Sequence, residues 1–133
     1  MNYKTLSVLF LTVFILLITV STDAQTSDAI QGTWHLTGTL PPTKSGSTFT
    51  WFLEWTFSDD SFSLTGYPPL GQKGKYRILK QEDNKLTINL YEQSGNFGNK
   101  DKQIEIVVNN DNKSLKIDGK EGFSKVTKEK PLN

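Results

Sequence analysis

His35 is the only histidine among 133 residues, and the chain has no cysteine. Thiol nucleophiles, disulfides, iron–sulfur clusters and Cys-ligated zinc are therefore excluded. A single imidazole also removes His-rich metal sites and most hydrolytic dyads. The carboxylates add little. Glu54 and Glu105 stand isolated on outward faces of alternating stretches, and nothing pairs them as acid and base. Asp59-Asp60 and Asn109-Asn110-Asp111-Asn112 gather oxygen ligands of the kind calcium takes. Their spacing matches no calcium loop, and both have the composition of tight turns. Gly71-Gln72-Lys73-Gly74 lacks the strand-to-helix setting of a phosphate loop. Asn112-Lys113-Ser114 is a glycosylation sequon, relevant in a eukaryotic secretory route. The expectation is a non-enzyme with no cofactor and no metal.

What remains is apolar recognition. Leu40, Phe49, Trp51, Tyr67, Tyr76, Leu90 and Phe97 are the candidate ligand contacts. Phe49 and Trp51 fall at the start of a strongly alternating stretch, beside a long connection. Tyr67-Pro68-Pro69-Leu70 is a stiff apolar segment suited to a lid or a plain turn. Phe97 lies within Ser94-Gly95-Asn96-Phe97-Gly98-Asn99, as a lid, a partner contact or a ring folded back on the rim. Trp34 reads as a core plug.

The elements that must carry these residues have a period of two. Ser47–Phe57 places Phe49, Trp51, Leu53, Trp55 and Phe57 on one face, with threonines and Glu54 on the other and Phe52 breaking the pattern. Shorter alternating stretches are Gly32–Leu40, Ser61–Tyr67, Lys75–Lys80, Lys85–Tyr91, Lys102–Val108, Ser114–Ile117 and, weakest, Gly122–Lys128. Eight short strands with turns between them predict an all-β, antiparallel, up-and-down barrel or a sandwich. The one helical candidate is a single turn over Ser27–Gln31, capped by Thr26 or Ser27 and ended by Gly32. Long connections (Pro41–Gly46, Pro68–Lys73, Glu92–Asp101) alternate with tight ones at Ser58–Asp60, Glu82–Asn84 and Asn109–Asn112. In a meander the long loops gather at one end, and such mouths are preferred ligand positions.

Ahead of this pattern, Lys4 precedes fifteen uncharged residues, Leu6–Val20, and then Ser21-Thr22-Asp23-Ala24. A positive start, an apolar run and small residues at Thr22 and Ala24 predict a signal peptide over residues 1–24, cleaved before Gln25. The run is short for a membrane span, which takes about 20 apolar residues. The expected domains are thus the signal at 1–24 and one barrel at 25–133, secreted or periplasmic. With 15 basic and 14 acidic side chains the net charge is +1, which provides no basic stripe for nucleic acid.

The Gly32-Thr33-Trp34 motif opening the first strand, after a capped turn, resembles the lipocalin and wider calycin superfamily, and is most similar to short bacterial lipocalin-like domains that follow a signal peptide. The resemblance covers Ser27 to about Lys128 as a strand pattern, with Gly32-x-Trp34 as its only residue-level motif. It implies a closed barrel, a short helix across the closed end and a cavity for a small apolar ligand. Those families stack an Arg from the last strand on the motif Trp. Here the only arginine is Arg77, on the fourth strand, and Lys125 is left as a candidate for the stacking position, where a lysine stacks less well than an arginine. Gly-Thr-Trp also occurs in the avidin family, but no Trp follows Trp55 to line a biotin pocket. The expected function is a monomeric carrier of a small, mainly apolar ligand at the loop-fringed end. The alternative is a filled barrel acting as a protein- or polysaccharide-interaction module.

Overall fold

A computed structural model describes residues 28–109, 111 and 113–127. The expected signal peptide, the cap residues Thr26 and Ser27, and the sequon asparagine Asn112 lie outside the described residues. Eight strands form one closed antiparallel barrel. They are β1 (Gly32–Leu40), β2 (Phe49–Ser58), β3 (Ser61–Tyr67), β4 (Leu70–Glu82), β5 (Lys85–Gly95), β6 (Lys102–Val108), β7 (Ser114–Ile117) and β8 (Lys120–Lys125). Each strand pairs with the next, and β1 closes on β8 through Trp34 opposite Lys125 and His35 opposite Ser124. Closure leaves no free sheet edge. Of the expected turn before β1, the structure describes one hydrogen bond, from Gln31 N–H to the Asp28 carbonyl at 3.1 Å.

Three strands run differently from the sequence expectation. β4 starts at Leu70, so the expected long connection Pro68–Lys73 is only the two-residue turn Pro68-Pro69. The reason is alternation: Gln72 and Tyr76 are both buried, with Lys73 and Lys75 outside them. β5 runs on past Tyr91 to Gly95, against the early part of β4. β8 occupies Lys120–Lys125 because Asp118 and Gly119 turn the chain with φ of 48° and 80°. Positive φ at both central residues matches the twist of a two-residue hairpin. Val126, expected on β8, follows it and is exposed.

The open end therefore has two long connections, residues 41–48 and 96–101, in place of three. The closed end is packed. Trp34, Phe57, Leu86, Ile88, Ile106, Leu115 and Phe123 are essentially inaccessible there. Trp34 donates its indole N–H to the Ile30 carbonyl at 2.8 Å, and the Lys125 ammonium lies 5.4 Å from its ring centroid. The lysine stack expected from the sequence is thus formed. Trp55 bridges the two halves, stacked on Phe57 with centroids 5.7 Å apart and tilted against Phe62 at 5.8 Å.

Candidate functional site

Inward positions of the upper barrel do not fill it. Leu53 and Trp55 of β2, Phe62 and Leu64 of β3, Leu90 of β5, Ile104 of β6 and Ile117 of β7 enclose a cavity of about 370 Å³, with Phe97 at its edge. This lies at the small end of the roughly 300–1,000 Å³ found for ligand pockets. A groove of about 460 Å³ on the outer wall is lined by Thr56, Ser58, Ser61, Ser63 and Ser94. It is a shallow groove open to solvent, with Lys73, Lys75 and Glu92 beside the hydroxyls, so the interior cavity is the better candidate for an apolar guest.

Two buried amides stand among the apolar walls. Gln72 Nε2 donates to Gln93 Oε1 at 3.1 Å and to the Gly98 carbonyl at 2.9 Å. Gln72 Oε1 accepts from the Phe97 backbone N–H at 3.1 Å, and Gln93 Nε2 donates to the Lys100 carbonyl at 2.6 Å. The pair thereby ties the 96–101 loop to the cavity wall. Asn96 adds a second tie, its side-chain oxygen accepting from Gly71 N–H at 2.6 Å and its own N–H donating to the Gly71 carbonyl at 2.9 Å.

A bulge aims one of these amides inward. Lys75 pairs with Tyr91 but Lys73 with Ser94, so β5 carries an extra residue, and Glu92 takes φ 49°. Strict alternation from Leu90 would point Glu92 into the barrel; the bulge turns Gln93 in instead. Glu92 then faces out and bonds Lys75 at 3.2 Å. That hydrogen bond, ahead of the simple charge attraction, holds the exposed Lys75 ammonium above its ordinary pKa. Gly95, at φ 137°, ends β5 opposite Gln72, where any side chain would collide with the Gly71 backbone.

The rim of the cavity is charged. Lys102 bonds Asp118 at 2.9 Å, and Lys120 stands beside them with no acid partner among the described residues.

The seven candidate contacts divide by position. Leu90 and Phe97 line the cavity. Leu40, Phe49, Trp51 and Tyr67 gather at the upper ends of β1–β3 but outside the lining: Leu40 pairs with Phe49, the Trp51 indole covers Gly38, and Phe49 stacks on Tyr67 at 5.6 Å. Tyr76 sits at the opposite end, contrary to its expected place at the mouth. Because β4 starts at Leu70, Tyr76 is carried down to Asp59, whose carbonyl accepts from the Tyr76 hydroxyl at 2.6 Å, while Gln31 Nε2 donates to the Tyr76 hydroxyl oxygen at 2.6 Å. Trp55, Leu64, Gln72, Gln93 and Ile104 were not among the candidates. The signal for Gln72 was available: it holds the inward phase between Leu70 and Tyr76 once β4 is begun at Leu70.

The other polar candidates lie on the outer wall. His35 stacks on Phe52 at 5.4 Å and approaches Glu54 at 3.4 Å, while Glu105 pairs with Lys85 at 2.9 Å. Among the described residues no group of three or more His, Cys, Asp or Glu is placed to hold a metal, and no helix is long and apolar enough to cross a membrane. No family model, curated protein or solved structure matches the chain.

Proposed function

We infer that the barrel is an exported, lipocalin-like, non-enzymatic binding protein that takes one small, mainly apolar molecule through its open end. The observation that carries this reading is the unfilled cavity of about 370 Å³ walled by Leu53, Trp55, Leu64, Leu90, Ile104 and Ile117. Protein interiors are otherwise close-packed. Water is a poor occupant, because a buried water needs 2–4 polar partners. The donors of Gln72 and Gln93 are committed to each other and to the loop. An apolar guest would displace that weakly held water at little cost and gain about 25 cal/mol per Å² of apolar surface buried. At about 30 Å³ for each water-sized group, the space holds roughly a dozen heavy atoms, which favours a short acyl chain or a small ring system over a retinoid or haem. Lys120 at the rim suits a polar or anionic end left at the mouth. Residues 1–24 have the composition of a cleaved export signal, and this part of the reading rests on sequence alone.

The test is isothermal titration of the chain beginning at Gln25 with fatty acids of increasing length, retinol and haem. Saturable one-to-one binding that peaks among the short acyl chains is expected. A folded protein giving no heat with any of them would abandon the carrier reading and favour the interaction module.

A further inference from the structure

We propose that the open end of the barrel docks, loop tips first, on an anionic lipid bilayer surface. The proposal does not depend on the cavity holding a ligand, because it rests on the outside of that end.

The first observation is where apolar surface is left exposed. Leu40, Tyr67 and Phe97 are among the most exposed large apolar side chains of the described residues, Phe97 at 67%. They stand on three separate connections at one end of the barrel: the end of β1, the β3–β4 turn and the 96–101 loop. Exposed prolines flank two of them, Pro41-Pro42 and Pro68-Pro69, which keeps these tips stiff.

The second observation is charge. Connections and strand ends at the open end carry Lys44, Lys100, Lys102 and Lys120 against Asp101 and Asp118. Of these lysines only Lys102 is ion-paired among the described residues. Turns and strand ends at the closed end carry Asp28, Asp59, Asp60, Glu82, Asp83 and Asp111 against Lys85, Lys113 and Lys125. Among the described residues the barrel is therefore polarised along its axis, with its positive end at the apolar tips.

Together these match a bilayer interface. Aromatic and aliphatic tips reach the boundary between headgroups and acyl chains, while lysines beside them meet lipid phosphate and serine headgroups. The acidic closed end is repelled by the same surface, so the orientation is fixed with the cavity mouth toward the lipid. A ring of separate protruding tips around an opening does not make the flat, continuous patch that a protein partner covers.

The test is co-sedimentation with vesicles of phosphatidylcholine alone and of phosphatidylcholine mixed with phosphatidylserine. It uses the chain beginning at Gln25, which keeps all eight strands and lacks the apolar Leu6–Val20 segment that would insert by itself. Binding to the mixed vesicles only, weakening with salt, is expected. Paired Tyr67→Ser and Phe97→Ser substitutions, and separately Lys100→Glu with Lys120→Glu, should each lower the bound fraction by about tenfold. Ile78→Ser with Leu79→Ser, exposed toward the other end, should leave it unchanged. Circular dichroism confirms that each variant is folded. Failure to bind mixed vesicles overturns the proposal. So does binding that survives loss of both aromatic tips, which would make it a general polyanion effect. Self-association abolished by Phe97→Ser would assign the surface to a second copy of the chain instead.

Discussion

Gln72 and Gln93 share a 3.1 Å hydrogen bond inside the barrel, and every other bond their amides make, Leu90 apart, reaches the 96–101 loop. Two adjacent strands therefore set the position of the one connection that overhangs the cavity. Polar groups placed in an otherwise apolar wall are costly unless satisfied, and here their satisfaction and the ordering of the loop are the same set of bonds.

Gln72→Leu keeps the side-chain size and removes three of these bonds. The Gly98 carbonyl and the Phe97 N–H lose their partner, at a cost of about 1–3 kcal/mol. A urea titration should show that loss. Amide exchange should quicken at Phe97 while Ile88, deep in the core, keeps its protection relative to global unfolding. Equal protection of Phe97 in both proteins would mean that Asn96 alone holds the loop.

Trp55, not Trp51, should report on the cavity. Trp55 lines it and Trp51 packs on Gly38 outside the lining. With a short-chain fatty acid or a hydrophobic dye, Trp51→Phe should retain most of the change in tryptophan emission and Trp55→Phe should lose it. The reverse result would move the guest to the upper rim of β1–β3.

Trp34→Phe should cost about 1–3 kcal/mol, because the buried Ile30 carbonyl loses the indole N–H that reaches it at 2.8 Å. Glu54→Ala should stay within about 0.5 kcal/mol, since its contact with His35 is a half-exposed surface pair. Chemical denaturation of both variants measures the contrast, and similar losses would mean that the wall has been assigned inside out.

Tyr76 gives the closed end a pH dependence. Burial pushes its phenol above the ordinary value of 10.0; the hydrogen bond from Gln31 opposes this, and the nearby Asp59, Asp60 and Asp28 carboxylates add to the rise. Below that ordinary value the phenol is neutral in both folded and unfolded chains, and its contribution is complete. As pH climbs above it, unfolded chains release the proton first, so stability falls until the native phenol titrates too. Lys75 and Lys85, held charged by Glu92 and Glu105, also lose their support in this alkaline range. The measurement is therefore the difference between wild type and Tyr76→Phe in unfolding midpoints from pH 8 to 11. The variant should show a shallower alkaline decline, and parallel curves would remove Tyr76 from the account.

Local alternation determined much of this protein. Phe49 to Phe57 at odd positions, and Leu86-Ile88-Leu90 and Ile104-Ile106-Val108 after them, are enough to specify strands with one buried face, because side chains alternate across a strand whatever it pairs with. Eight such strands joined by short connections leave few arrangements other than a closed meander. The tight turns at Asp59-Asp60 and Asp83-Asn84 were equally legible, since their residues tolerate positive φ.

The cavity was decided by the tertiary structure. Trp55 reads as core in the sequence and is core, but whether the space above it is filled depends on side chains from seven strands meeting across the barrel axis. Phase errors compounded this. A strand begun at Lys75 rather than Leu70 hides Gln72 and sends Tyr76 to the wrong end. Without the bulge at Glu92, alternation turns a glutamate, not Gln93, into the barrel. A period of two says which face a residue takes only while the register is unbroken, and register is set by the neighbouring strand, which in β4 and β5 shifts twice.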